Sequence, residues 1–306
     1  MIEYLNSAHA DNGTEQLPRV HNWQARLGQL FFKLFGNIFP RWTAQIAYKF
    51  FRTPRWRAQH KRPDALILAA RLVDFPFQNE RIKCYEWGDA AAKKTILLAH
   101  GWESRGTALR MYVPDLIKNG FKVVAFDALA HGDSTGKQNN LLTNAKTIIA
   151  LSTHYGSFYG IIGHSFGCSS TVYAMQFLDK NMSVERLVFL AVPPSMLKII
   201  GGVFKMMALP KVTQKAFIAH IDGMSGHSIE ESDVATAGNK VKVGQLLLIH
   251  DEQDDITNIE AAKRVEAAWD NAILLITSGY GHFRIAKNPD VIRRIIEFIG
   301  KADDTN

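Results

Sequence analysis

With 306 residues, 47% of them hydrophobic and 21% charged, the chain has material for one large domain with a proper core plus a modest insertion. No run approaches the roughly 18 apolar residues of a membrane-spanning helix, and Cys84 and Cys168, without paired spacing, argue for a reducing compartment and against a metal site. The net charge of +7 is uneven, because ten basic and no acidic residues lie between Gln16 and Pro63, leaving −3 on the rest.

Residues 1–18 read as a loose polar tail without the apolar region of a signal peptide, so the expected location is cytoplasmic. From Asn22, an N-cap candidate, Trp23, Leu27, Leu30, Phe31, Leu34, Phe35 and Ile38 fall on one helical face, with Arg26 and Lys33 opposite. Pro40 ends that helix, and residues 41–51 form a second. Residues 1–63 are therefore expected to be a basic helical extension. One reading packs its apolar face on the following domain. The other rests it on anionic lipid as a weak peripheral contact. Packing is the expectation, and nucleic acid is not an expected partner, since no recognised motif accompanies the charge.

Beyond residue 64 short apolar strands alternate with helices, which predicts a mostly parallel sheet covered on both faces. Strands are expected over 81–87 (antiparallel, at the sheet edge), 95–99, 122–126, 158–162, 186–191, 245–249 and 272–277. Helices are expected over 111–119, 139–153, 168–178 and 291–299. Residues 194–244 break the rhythm and hold four of the eight methionines, Met196, Met206, Met207 and Met224. Soft, adaptable side chains in such an excursion suit a small helical lid over an acyl pocket, with Phe204, Met206 and Met207 placed above the chain.

The centre of the chain is Gly163-His164-Ser165-Phe166-Gly167, set between an apolar strand and a helix-compatible stretch. G-x-S-x-G in that context forms a sharp turn that lifts the Ser165 hydroxyl out of the sheet and frees the Phe166 N–H for an oxyanion. Glycines two residues on either side sit where a side chain would collide. The motif alone also fits an ordinary strand-turn-helix connection, so its partners decide. An acid and a histidine should follow in that order, each just past a strand end. Asp251, Glu252, Asp254 and Asp255 follow one strand, and Gly281-His282 follows the last. Trp102, after His100-Gly101, is placed to offer a second backbone N–H. Asp133 precedes the elbow and is expected to stabilise its own turn.

Together, the His100-Gly101 turn, the Phe126-Asp127 and His131-Gly132-Asp133-Ser134 run, the elbow, the acid loop and Gly281-His282 resemble the α/β-hydrolase superfamily, in its serine esterase and lysophospholipase-like branch, over about residues 81–300. The resemblance implies nucleophile Ser165, base His282 and oxyanion donors Trp102 and Phe166. The family's Gly-x-x-Asp-x-x-Val-Pro loop, laid on residues 251–258, selects Asp254. Its Gly and Val-Pro are replaced here, so Asp251 and Asp255 stay open. The turn reading His-Gly-Trp-Glu-Ser-Arg-Gly also departs from the monoglyceride-lipase pattern.

The expected activity is hydrolysis of a small-molecule carboxylic ester through an acyl-enzyme, with no cofactor and no metal. A thioesterase, amidase or lysophospholipase using the same residues, or a hydrolase-fold binding protein with an idle site, are the alternatives. Acyl length, alcohol moiety and oligomeric state are not legible.

Overall fold

Nine strands make one sheet in the computed structural model, which describes residues 1–5, 23–59 and 63–301. The strands are β1 Ile2–Tyr4, β2 Arg71–Phe77, β3 Glu80–Trp87, β4 Thr95–Ala99, β5 Lys122–Phe126, β6 Gly160–His164, β7 Ser183–Leu190, β8 Lys242–Asp251 and β9 Ala272–Thr277. Their order across the sheet is β1-β9-β8-β7-β6-β4-β5-β3-β2. Only β2 with β3 and β3 with β5 pair antiparallel. All other pairs are parallel, as buried apolar strands joined by helical crossovers require. Every residue of β4 and of β6 is buried, which is why neither shows alternating polarity.

Apolar clusters cover both faces. One is built with α5 Leu141–Tyr155 and α6 Phe166–Tyr173, the other with α4 Val113–Lys118 and α11 Pro289–Gly300. Three expectations need correction. Residues 80–87 are not an edge, because β2 lies outside them, and its charged, alternating sequence blunts the true edge. Residues 2–4, expected in a loose tail, extend the sheet beside β9, with Leu5 N–H donating to Ile276 O at 2.9 Å. Residues 174–178 continue α6 without a break but in π-helical rather than α-helical winding.

The N-terminal helices are α1 Trp23–Ile38 and α2 Pro40–Phe51, with Pro40 opening the second helix at a position where its missing N–H costs nothing. The expected cap Asn22 and the basic residues Arg19, Lys61 and Arg62 lie outside the described residues, as do most of the tail and the Trp23 side chain. Between β7 and β8 lie α7 Met196–Met207 and α8 Lys211–Ser225, while α3 Ala65–Leu68 precedes β2, α9 Glu260–Ala268 follows β8 and α10 Gly281–Arg284 follows β9. In α2, Thr43, Ala44, Ala47 and Tyr48 are buried, and the Tyr48 ring meets Phe217 of α8 edge-on at 5.7 Å.

In α1 the expected face is not the packed one. Phe32 and Gly36 are buried, whereas Leu27, Leu30, Leu34, Phe35 and Ile38 are exposed. The reason is close approach. Thr213 of α8 donates its hydroxyl to Gly36 O at 2.7 Å, and a Cβ on Gly36 would stand 2.8 Å from Pro210. The smallest residue, not the greasiest face, sets the contact.

Candidate functional site

Ser165 occupies the turn between β6 and α6 with φ 50° and ψ −114°, a conformation that costs a non-glycine residue about 1–3 kcal/mol. Its surroundings enforce the strain. A Cβ at Gly167 would strike the Ala99 carbonyl, and one at Gly163 would approach Cys168 N to 3.1 Å. Strand and helix therefore close on each other only because both positions are glycine. Ser165 N–H donates to Leu190 O at 3.0 Å, which pins the turn to the neighbouring strand.

Beyond β8, the acid loop separates its carboxylates by environment. Asp254 is buried and accepts from His282 Nδ1 at 2.8 Å, on the same oxygen that accepts the Thr257 hydroxyl at 2.8 Å. Its other oxygen accepts the backbone N–H of Ile256 at 2.9 Å and of Thr257 at 2.8 Å. Burial alone would raise this carboxyl, but the His282 bond, the Thr257 backbone N–H and the Thr257 hydroxyl outweigh it and hold Asp254 down at about 2. It is ionised at neutral pH. Asp251 is buried as well, yet it serves the backbone: it accepts from the Thr277 hydroxyl, Tyr280 N–H and Gln253 N–H. Asp255 is exposed. The loop thus brings Asp254, and neither Asp251 nor Asp255, to His282.

Two further histidines brace this arrangement. His164, the first of the two variable residues of the elbow motif, donates from Nε2 to His282 O at 2.9 Å. Burial, reinforced by His282, pulls it down to about 4, so it stays neutral. His250, at the end of β8, donates from Nε2 to Thr257 O at 2.7 Å, and burial likewise lowers its pKa. Neither residue, nor Thr257, was singled out from the sequence. Thr257 carried a local signal, a hydroxyl three positions after an aspartate in a turn, but the histidines carried none, since their partners are 118 and 7 residues away.

Trp102 and Phe166 line one cavity with Ser165. Phe166 opens α6, where the N–H has no intrahelical acceptor, and no acceptor for the Trp102 N–H is found among the described residues. The two rings meet edge-on at 5.3 Å, and Trp102 also meets His131 at 5.0 Å. The turn behind them is organised chiefly by buried Asp127, with Asp133 in a supporting place. Asp127 accepts from Gly106 N–H at 2.6 Å, Asp133 N–H at 2.8 Å and the Tyr85 hydroxyl at 3.0 Å, and the exposed Asp133 carboxylate adds a longer contact to the same Tyr85 hydroxyl at 3.2 Å. His100 Nε2 accepts the Ala128 N–H at 2.9 Å, and burial lowers this ring to about 4. The Ser165 hydroxyl makes no hydrogen bond among the described residues. Such contacts often tighten only when substrate is bound.

The cavity measures about 610 Å³. Met196, Met206, Met207 and Met224 line it, as the insertion was expected to do, but Phe204 does not. Phe204 is buried against Phe217 at 5.2 Å and belongs to the core of the insertion. The opposite wall comes from α2 through Tyr48, Phe50 and Phe51, a contribution not foreseen from the sequence. Cys84 and Cys168 are both buried. Burial pushes Cys84 up to about 12 and raises Cys168 as well, so neither is a ready nucleophile.

A family model described as "Alpha/beta hydrolase family" matches residues 96–295. No curated protein matches the sequence. Among solved structures, an esterase from Pyrococcus furiosus is similar at 22% identity and TM-score 0.57, covering 81% of this chain and 96% of that one. A predicted CIB-like hydrolase from Thermoplasma acidophilum superposes with TM-score 0.58 at 15% identity, over 76% of this chain and 98% of that one. A thioesterase domain from the curacin biosynthetic pathway gives TM-score 0.56 at 15% identity, over 76% of this chain and all (100%) of that one. At such identities these likenesses bear on the fold.

Proposed function

The chain belongs to the alpha/beta hydrolase family, and from that premise we propose that it is a serine hydrolase of carboxylic esters whose triad is Ser165, Asp254 and His282. The observation that carries the proposal is the 2.8 Å contact between ionised Asp254 and His282 Nδ1, built beside a strained elbow that raises Ser165 into an apolar cavity. Asp254 holds the proton on Nδ1 and leaves Nε2 free as a base. Ser165 Oγ attacks the acyl carbon and its proton passes to Nε2, while Asp254 steadies the imidazolium. The N–H groups of Trp102 and Phe166 receive the oxyanion. The alcohol leaves with the proton from His282, and water, activated by the same ring, then releases the acid.

The methionine-rich wall and the aromatic wall of α2 favour an apolar acyl group. A fluorophosphonate probe should label the wild-type protein at Ser165 and should not label Ser165→Ala, which should lose kcat on p-nitrophenyl esters by several orders of magnitude. Labelling at a different serine would overturn the assignment. Turnover of acyl thioesters with none of any p-nitrophenyl ester from acetate to palmitate would move the substrate class while keeping the triad.

A further inference from the structure

We propose that the outer face of α1 and the start of α2 is a docking surface for an anionic lipid bilayer, set beside the mouth of the cavity that holds Ser165. The first observation is an apolar face that no described residue covers. Leu27, Leu30, Leu34, Ile38, Phe39 and Trp42 are between 50% and 68% exposed. They are contiguous rather than scattered, since Leu27, Leu30, Leu34 and Ile38 follow the helical repeat and the Trp42 ring meets Phe31 edge-on and Phe35 at a tilt, with centroids 6.1 and 6.4 Å apart. Contiguous apolar surface of this kind on a folded protein marks an interaction site.

The fold cannot turn this face inward, because α1 is held by its other side. Gly36 is locked under Thr213 and Pro210, and Phe32 is buried.

Charge identifies the occupant. Arg26, Lys33, Arg41 and Lys49 are exposed on the same two helices, with no acidic residue between Gln16 and Pro63 to neutralise them. Arg26 and Lys33 flank the stripe of Leu27, Leu30, Leu34 and Ile38 rather than oppose it, because Phe32 and Gly36 take the opposite side. A second copy of the chain seated on this face would set those cations against their own images. An anionic membrane meets both demands, taking the apolar side chains into its interfacial layer and the long basic ones at its headgroups. Among the described residues no helix is long and apolar enough to cross a membrane, so the contact is peripheral.

Placement ties the face to the cavity. Phe50 and Met206 line the cavity and are 61% and 60% exposed, so they form its rim. Phe50 touches Phe32 of α1 at 6.2 Å, and Gln29 of α1 donates to Met206 O at 2.9 Å. These contacts come from the packed side of α1, so a bilayer on its outer side lies one helix width, about 10 Å, from the opening. A lipophilic ester dissolved in it would reach the cavity past the exposed rim residues Phe50 and Met206. That last step rests on the esterase proposal, whereas the docking itself does not.

Vesicle sedimentation with the full chain tests the docking. Phosphatidylcholine vesicles with and without about one-third phosphatidylglycerol are compared at about 0.1 and 0.5 M salt. The wild-type chain should sediment with the anionic vesicles, more at low salt, and hardly at all with neutral ones. Leu34→Glu/Ile38→Glu should lower the partition at least about tenfold. Lys33→Glu/Arg41→Glu should do the same through charge. Both variants alter exposed side chains remote from Ser165, so hydrolysis of soluble p-nitrophenyl butyrate should stay at the wild-type rate. Absence of sedimentation with anionic vesicles at low salt, or partition unchanged in both variants, overturns the proposal. So does light scattering that shows a wild-type dimer split by Leu34→Glu/Ile38→Glu, with no vesicle binding. Vesicle binding that responds to both variants in a protein unable to hydrolyse the butyrate ester upholds the docking and removes only the esterase reading.

Discussion

Replacing Asp254 with asparagine separates orientation of His282 from everything else the loop does. The two carboxylate oxygens are not equivalent. One accepts the backbone N–H groups of Ile256 and Thr257 at 2.9 and 2.8 Å, and the other accepts His282 Nδ1 and the Thr257 hydroxyl, each at 2.8 Å. An asparagine amide can satisfy the two backbone donors only by leaving its oxygen on the first side. Its NH₂ group must then face His282 Nδ1, where it donates. The imidazole responds by carrying its proton on Nε2, the atom that has to accept the proton of Ser165. The loop keeps its backbone hydrogen bonds, so the fold survives while the base is in the wrong tautomer. The expected loss in kcat is about 10⁴, which is about 5 kcal/mol of transition-state stabilisation. Steady-state kinetics on p-nitrophenyl butyrate measure it, with far-UV circular dichroism to establish that the variant is folded. Asp251→Asn and Asp255→Asn serve as controls, because Asp251 holds Thr277, Tyr280 and Gln253 and Asp255 is exposed. An Asp254→Asn variant that keeps kcat within about tenfold, or a collapse confined to Asp255→Asn, would refute the reasoning.

Met207 lines the cavity from α7, so Met207→Trp should fill part of its roughly 610 Å³ and move the preference toward shorter esters. An acyl-length profile identical to wild type would place that side chain away from the bound acyl group. Asp254 also makes stability depend on pH. Its folded-state pKa, about 2, lies below the ordinary carboxylate value near 4, so its contribution is present above about pH 4 and is lost as pH falls toward 2. The size is about 2 kcal/mol, read from urea midpoints of wild type and Asp254→Asn between neutral and acid pH. Parallel pH dependence in the two proteins would show that this carboxylate is not stabilised by folding.

Much of the architecture is local and therefore legible. Five-residue apolar runs between turn residues are too short for core helices and read as buried strands, and their alternation with helical stretches makes the sheet mostly parallel. The elbow shares that transparency, because Gly163 and Gly167 are required by contacts with Cys168 and Ala99 that any strand-turn-helix closure creates. Even the sequential order of acid loop and histidine loop restricted the partners to a few residues.

Three matters were decided only in three dimensions. Four acidic residues on one loop are chemically alike in sequence. Asp254 is distinguished because the loop folds so that Thr257 and two backbone N–H groups can hold it ionised while buried. β1 was invisible because three residues carry too little pattern, and their pairing is supplied by the exposed edge of β9. The N-terminal helices show the clearest division. Periodicity identified the apolar face of α1 correctly, yet it could not say which face would be packed. That choice fell to Gly36 and to the shape of α8, since helices approach most closely where a side chain is missing, and Leu27, Leu30, Leu34, Phe35 and Ile38 were left outside. Sequence determines which surfaces are apolar. Steric fit with elements distant in the chain determines which of them are covered.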